Sequence, residues 1–416
     1  MKSELIRARE AAKIARTVSE SQKNEALFAM GEQILCSTDA ILTANAKDVE
    51  AAKKRVETTT RIDRLLLNEH RIQMMVDGLH EIMALPDPIG EVIEIWTRPN
   101  GLRIEQVRVP FGVVGIIYEA RPNVTVDTSA LTVKTGNAVV LRGGKEAFET
   151  NIALTVALRK ALHDVLLPSD LVVMVTDTDR RSVDDLIRAR GLVDLVIPRG
   201  GAGLISHVVE NATVPVIETG VGNCHVYIDS HANLAMALDI IVNAKTDRPS
   251  VCNAAETLLI HSAVAPSFVP IAAEKLTKLG VELRLDAKAN HLLENESIIA
   301  KQATEEDFAT EFLAPILAVK VVESLDEAID HIGHYGTGHS EAIVTDENEV
   351  AKEFLQRIDA AAVYHNASTR FTDGYEFGFG AELGISTQKL HARGPMGLRE
   401  LTSYKYVIRG NGHIRR

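Results

Sequence analysis

Apolar positions recur at helical spacing through the first 85 residues, at Leu5, Ala8, Ala12, Ile14 and Ala15 and again at Leu27, Met30, Ile34 and Leu35. That spacing predicts helix after helix, ending at the breaker cluster Pro86-Asp-Pro88-Ile-Gly90. A run of helices without strands reads as the flank of a larger domain. Two alternating, β-branched arms follow, Glu91 to Arg98 and Leu102 to Val109, joined by Pro99-Asn100-Gly101. They predict a β-hairpin, which needs a further element or another subunit to pack on.

From Pro110 the pattern changes. Gly112–Tyr118, Ala138–Leu141, Leu171–Val175 and Val193–Ile197 are short apolar runs separated by helical stretches. This alternation predicts right-handed crossovers and a parallel sheet. The second half repeats it, with strands expected at 224–229, 257–260, 315–322, 341–345 and 361–364. The tail from Leu401 to Ile408 reads as a last strand, expected to pair outside its own domain. The fold class is therefore α/β.

With 416 residues the chain has room for two or three domains. Apolar residues make up 46% and charged residues 25%, the composition of a soluble globular protein. A net charge of −12 argues against sequence-independent nucleic-acid binding, so acidic or phosphorylated substrates would need a local basic pocket. Three unevenly spaced cysteines form no disulfide framework and no zinc pattern. The N-terminus has neither a signal-peptide nor a transit-peptide pattern, and no apolar run approaches the length of a spanning helix. A cytoplasmic protein without membrane contact is expected.

The chemistry concentrates in a few places. Cys252 lies in Asp247-Arg-Pro-Ser-Val-Cys252-Asn-Ala-Ala-Glu256, between a helical pattern and a strand. By position alone, a reactive thiol and a buried structural one stay equally open. Two glycine turns follow strands, Arg142-Gly143-Gly144-Lys145 and Arg199-Gly200-Gly201. Such turns bring backbone N–H groups to a phosphate, and two of them on one parallel sheet raise the case for a dinucleotide, with two simple tight turns equally open. Glu218 stands on Glu218-Thr-Gly-Val-Gly222 and fits a general base, a ribose ligand or a helix cap. Glu311 precedes another strand. His331, His334 and His339 crowd one segment, but their spacing matches no zinc pattern. No metal is expected, and a polar, substrate-facing loop is the better reading.

Glu218-Thr-Gly, Cys252 and Glu311-Phe-Leu-Ala-Pro315 stand in the order and spacing of the aldehyde dehydrogenase superfamily, which the chain resembles. More narrowly, Gly115–Thr125, Ala328–Glu341 and Arg393–Leu398 are similar to the γ-glutamyl phosphate reductases of proline biosynthesis. The resemblance implies an aldehyde dehydrogenase-like fold with a Rossmann-type cofactor domain (1–90 and 110–221), a catalytic domain (222–390) and a small β oligomerisation element (91–109 with 395–416).

It also implies a reaction, the NADPH-dependent reduction of L-glutamyl 5-phosphate to L-glutamate 5-semialdehyde through a Cys252 thioester. Glu218 then matches the water-activating base of hydrolytic relatives, a role this reaction does not need. The superfamily's oxyanion-binding asparagine falls on Ala120, and Asn123 is the expected replacement. Arg142, Lys145, Arg199, Gly200, Gly201 and Glu311 would hold the cofactor. Lys145 stands where NAD-preferring relatives often carry a glutamate, which favours the 2′-phosphate of NADP. Arg121, His339, Ser340 and Arg393 are the expected substrate ligands. A homo-oligomer, dimer or tetramer, and a transient contact with glutamate 5-kinase complete the picture. The rivals are a hydrolytic NAD(P)-dependent aldehyde dehydrogenase and a non-catalytic cofactor-binding scaffold.

Overall fold

The structure is a computed structural model and describes residues 1–57, 59–294, 296 and 298–415; the last position of the expected 395–416 element lies outside the described residues. The chain divides into two compact units. One comprises Met1–Thr219, Gly378–Gly384 and Met396–Arg416, the other Gly220–Phe377 and Ile385–Pro395.

The first unit opens with the expected helices, Lys2–Ala15, Glu20–Cys36, Thr38–Lys54, Thr59–Leu65 and Glu69–Ala84. Ser19 starts the second one with a capping box. Its hydroxyl accepts the Gln22 N–H, and the Gln22 side chain accepts the Ser19 N–H. The faces carrying Leu27, Met30 and Ile34, and Ile72, Met75 and Leu79, are buried. The hairpin is present as β1 (Val92–Thr97) and β2 (Arg103–Pro110). Its loop holds three residues, closed by an N–H from Arg98 to the Leu102 carbonyl, with Gly101 at φ +87°. Only a residue tolerating a left-handed backbone fits there, hence the glycine.

β3 (Val113–Tyr118), β4 (Ala138–Gly143), β5 (Val172–Met174) and β6 (Leu195–Arg199) form a parallel sheet in the order β5-β4-β3-β6. Every residue of β3 and β4 is buried. That is why they read as unbroken apolar runs: helices cover both faces. The strand order reverses between β3 and β6, and such a switch point is where α/β sheets bind ligands, at the strands' carboxyl ends.

The second unit contains β7 (Cys224–Ile228), β8 (Ala255–His261), β9 (Glu282–Leu285), β10 (Lys301–Gln302), β11 (Ile316–Val322), β12 (Ser340–Val344) and β13 (Ala362–His365). They make a seven-stranded, wholly parallel sheet in the order β10-β9-β11-β8-β7-β12-β13. Alternate residues enter different cores: Val226, Ile228, Leu258 and Ile260 pack on one face, Tyr227 and Leu259 on the other. The short edge strands β9 and β10 give no clear apolar run in the sequence. β14 (Ile385–Ser386) and β15 (Gly394–Pro395) form a small antiparallel pair.

The last strand, β16 (Thr402–Arg409), pairs antiparallel with β2 along its whole length and completes a three-stranded sheet β1-β2-β16 within the first unit. None of the described helices is long and apolar enough to cross a membrane.

Candidate active site

In the first unit the carboxyl ends of β3 and β4, the loop after β5 and the helix after β6 enclose a cavity of about 730 Å³. Glu119, Arg142, Lys145, Arg180 and His207 are among its lining residues. Lys145 is exposed there and makes no hydrogen bond or ion pair with a described residue. Arg142 is committed elsewhere. Its Nη2 donates to the carbonyls of Thr178 (2.8 Å) and Asp179 (3.0 Å), its Nη1 to Gly143 O and its Nε to Ser182 Oγ. Burial lowers its pKa from the ordinary arginine value. This side chain fastens the loop after β5 to β4, and so shapes the cavity more than it can grip a ligand.

Gly200 and Gly201 follow β6 and open the helix Ala202–Asn211. A Cβ on Gly200 would press on Leu204 and the Glu119 carboxyl. The Gly201 N–H donates to Glu119 Oε2 at 3.0 Å, so a carboxylate sits at this helix start. Arg199 is half-buried, its guanidinium lying against the backbone of Gly384. Glu218 is half-buried next to Thr219, whose hydroxyl donates to Pro198 O at 2.7 Å. Arg121 precedes the helix Pro122–Lys134, and Asn123, exposed on its first turn, donates to Asp127 Oδ2 at 2.9 Å.

In the second unit Cys252 sits in the turn between the helix Leu234–Thr246 and β8, half-buried, as the sequence placed it. The surrounding groups lie at the amino ends of the parallel strands: Cys224 begins β7, Ser340 begins β12, and Glu311 precedes β11. The Cys252 carbonyl accepts from the Cys224 thiol at 3.2 Å. A Cβ on Gly222 would drive into that same carbonyl, so the position admits only glycine. The Gly222 N–H donates to Glu311 Oε1 at 2.8 Å. Asn253 is tied down at both ends, its amide donating to Thr372 O at 2.8 Å while Thr369 Oγ1 donates to its carbonyl at 2.7 Å.

The segment read as a polar, substrate-facing loop is corrected by the structure. Residues Leu325–Tyr335 are helical, and His339 and Ser340 are 0% exposed. His339 Nδ1 meets Ser340 Oγ at 2.8 Å, and Ser340 Oγ meets Thr372 Oγ1 at 2.7 Å. Ser340 opens β12, an inner strand buried along its whole length, and His339 immediately before it is enclosed as well, which a reading by polarity misses. Burial pushes the His339 pKa down to about 4. His331 packs edge-on against His225 and Phe308, and burial pushes its pKa down to about 2. Arg393 is half-buried and ion-paired with Asp359, Nη1 to Oδ1 at 2.7 Å, while its Nε stays without a partner.

Four further groups at this centre carried no role in the sequence reading. Cys224 and Gly222 are two. The others are Lys245 and Glu256, an ion pair at 2.5 Å with both side chains 0% exposed. Burial raises the Glu256 pKa to about 7 and lowers that of Lys245. A lysine inside an apolar helix and a glutamate at the head of an apolar strand were the available signals.

A parallel α/β unit with a glycine-lined cavity at its switch point, and a second parallel unit presenting a braced turn thiol, define the class. The aldehyde dehydrogenase family model matches residues 2–292 and 296–407, and the chain belongs to that family. Within it the chain groups with the γ-glutamyl phosphate reductases. It is 59% identical to the gamma-glutamyl phosphate reductase of Moorella thermoacetica over 409 residues, 98% of this chain and 97% of that protein. Against the one from Desulforamulus reducens, identity is 55% over 98% of each chain. The crystal structure of gamma-glutamyl phosphate reductase from Thermotoga maritima superposes with a TM-score of 0.96 at 50% identity, covering 100% of this chain and 99% of that one. An acetylating aldehyde dehydrogenase from Geobacillus thermoglucosidasius shares the fold at 19% identity and a TM-score of 0.71, over 100% of this chain and 97% of that one.

Proposed function

We propose that the chain reduces L-glutamyl 5-phosphate to L-glutamate 5-semialdehyde with NADPH, releasing phosphate. The observation that carries this reading is the half-buried Cys252 on a turn whose backbone is held by Cys224, Gly222 and Asn253, in a chain 59% identical to a gamma-glutamyl phosphate reductase.

The Cys252 thiolate attacks the acyl carbon, the carbon–oxygen bond to phosphate breaks, and a thioester remains, which splits one hard reduction into two steps. Bound NADPH supplies the hydride that brings this thioester to the aldehyde level. The resulting hemithioacetal oxyanion collapses, breaking the carbon–sulfur bond and returning the thiolate. The Cys252 N–H and the Asn123 amide are the proposed oxyanion donors. Arg121 and Arg393 are proposed for the substrate's anionic groups. His339 and Ser340, enclosed as they are, support the turn from beneath. For the cofactor, Lys145 on the cavity offers an uncommitted ammonium to an adenosine phosphate, while the Gly201 N–H of the neighbouring glycine turn is held by the Glu119 carboxylate. Glu311 is proposed for the ribose. The three-stranded sheet, with Ile93, Ile95, Tyr404, Tyr406 and Ile408 exposed, is proposed as the oligomer contact.

The test runs the reaction in reverse, following NADPH formation from glutamate 5-semialdehyde and NADP⁺. Strict dependence on inorganic phosphate supports the reductase. Turnover that ignores phosphate means water resolves the thioester through Glu218, and the hydrolytic reading replaces it.

A further inference from the structure

The second unit's buried polar groups converge on the backbone of the nucleophile. Cys224 is 0% exposed at the first position of β7, and its sulfur lies 3.2 Å from the Cys252 carbonyl oxygen. Behind it runs a line of side chains: His339 Nδ1 at 3.6 Å, then Ser340 Oγ, Thr372 Oγ1 and the Tyr364 hydroxyl, the last three steps being 2.8, 2.7 and 2.7 Å. The sulfur is closer to the carbonyl than to the imidazole, so its hydrogen points at the carbonyl. Burial holds this thiol protonated by raising its pKa well above the usual value, so it stays a donor at neutral pH.

We infer that Cys224 is a positioning residue for the reaction, its S–H orienting the Cys252 carbonyl and thereby the backbone that aims the nucleophilic thiol. The inference rests on the reading of Cys252 as nucleophile. The Cys252 carbonyl shares a peptide plane with the Asn253 N–H. Asn253 is fastened through its side chain and its carbonyl to residues 369–372, and Gly222 backs the Cys252 carbonyl directly. Cys224 adds a directional hold on that plane. Without it, rotation about the Cys252 Cα–C bond is freer and the thiol leaves its attack geometry.

The test uses Cys224→Ala, Cys224→Ser and Cys224→Val in the full chain, each checked for folding by thermal unfolding. Iodoacetamide labelling at Cys252 is measured by peptide mapping against Cys36, the exposed cysteine of the same molecule. Cys224→Ala lowers kcat about tenfold or more, since small misplacements of reacting groups are costly in rate. KM for NADP⁺ stays unchanged, and the Cys252/Cys36 labelling ratio shifts from the wild-type value. Cys224→Ser keeps a donor and recovers most of both. Cys224→Val, which fills the space without donating, behaves as Cys224→Ala and gives the answer should the alanine variant not fold. A folded alanine or valine variant with wild-type kcat and labelling overturns the inference, as does a serine variant that falls equally far. The labelling ratio needs no substrate, so it tests the positioning role even where the phosphate experiment rejects the reductase reading.

Discussion

Two thiols of the second unit sit in opposite environments, Cys252 half-buried on a turn and Cys224 enclosed in the sheet, and burial of this kind keeps a thiol inert. Cys252→Ala is expected to lose turnover by about a thousandfold or more while NADP⁺ binding, followed by fluorescence titration, is retained; substantial residual turnover would remove the covalent route. Gly222→Ala forces a methyl into the Cys252 carbonyl. It should cost at the upper end of the ~1–3 kcal/mol typical of overpacking and abolish activity, both readable from denaturant midpoints and reverse-reaction rates. At this scale the sequence singled out Cys252, Glu218 and Glu311 through their order along the chain. It hid Gly222 and Cys224, because their importance comes from a backbone approach between residues 222 and 252 that no spacing rule encodes. It also set His339 and Ser340 on a substrate-facing loop, since polarity alone does not tell a substrate contact from an enclosed polar group.

Among the elements, the turn after β4 joins a buried strand to an exposed Lys145 on the cavity rim. Lys145→Glu should shift preference from NADPH toward NADH by about tenfold or more in the ratio of kcat/KM values, the scale of one charge-assisted phosphate contact. An unchanged ratio would assign the 2′-phosphate to another group. The hairpin β1-β2 was legible from its alternation and its Asn-Gly turn, and so were the core strands, whose continuous apolar runs reflect burial on both faces; β16 was legible as a strand, but not its pairing with β2. The strands β9 and β10 were not, being four and two residues long, too short for a period to emerge. If the sheet is the proposed oligomer contact, truncation before β16 should leave a smaller species than the full chain by light scattering, because it strips the full-length partner of β2.

For the whole molecule, acid sensitivity follows from two of the enclosed histidines of the second unit. His339 and His331 have pKa values pushed down to about 4 and about 2 by burial, so the folded chain refuses protons that the unfolded chain accepts near the usual ~6.5. Their contribution is complete above that value and is lost as the pH falls, by about 2 kcal/mol for each by pH 5. Chemical denaturation of the wild type and of His339→Gln between pH 7.5 and 5 checks this. The variant should show a shallower decline, and parallel curves would refute the assignment.

The turn that carries Cys252, the proposed nucleophile, lies at the amino ends of one sheet, and the glycine turns that frame the cavity lie at the carboxyl ends of another, in a separate compact unit. Substitutions that retune which dinucleotide is accepted therefore need not disturb the thiol's bracing, and the reverse holds as well. On the proposed function the two selectivities can drift independently, so descendants of one such gene could exchange electron donors while inheriting an unaltered acyl-transfer apparatus.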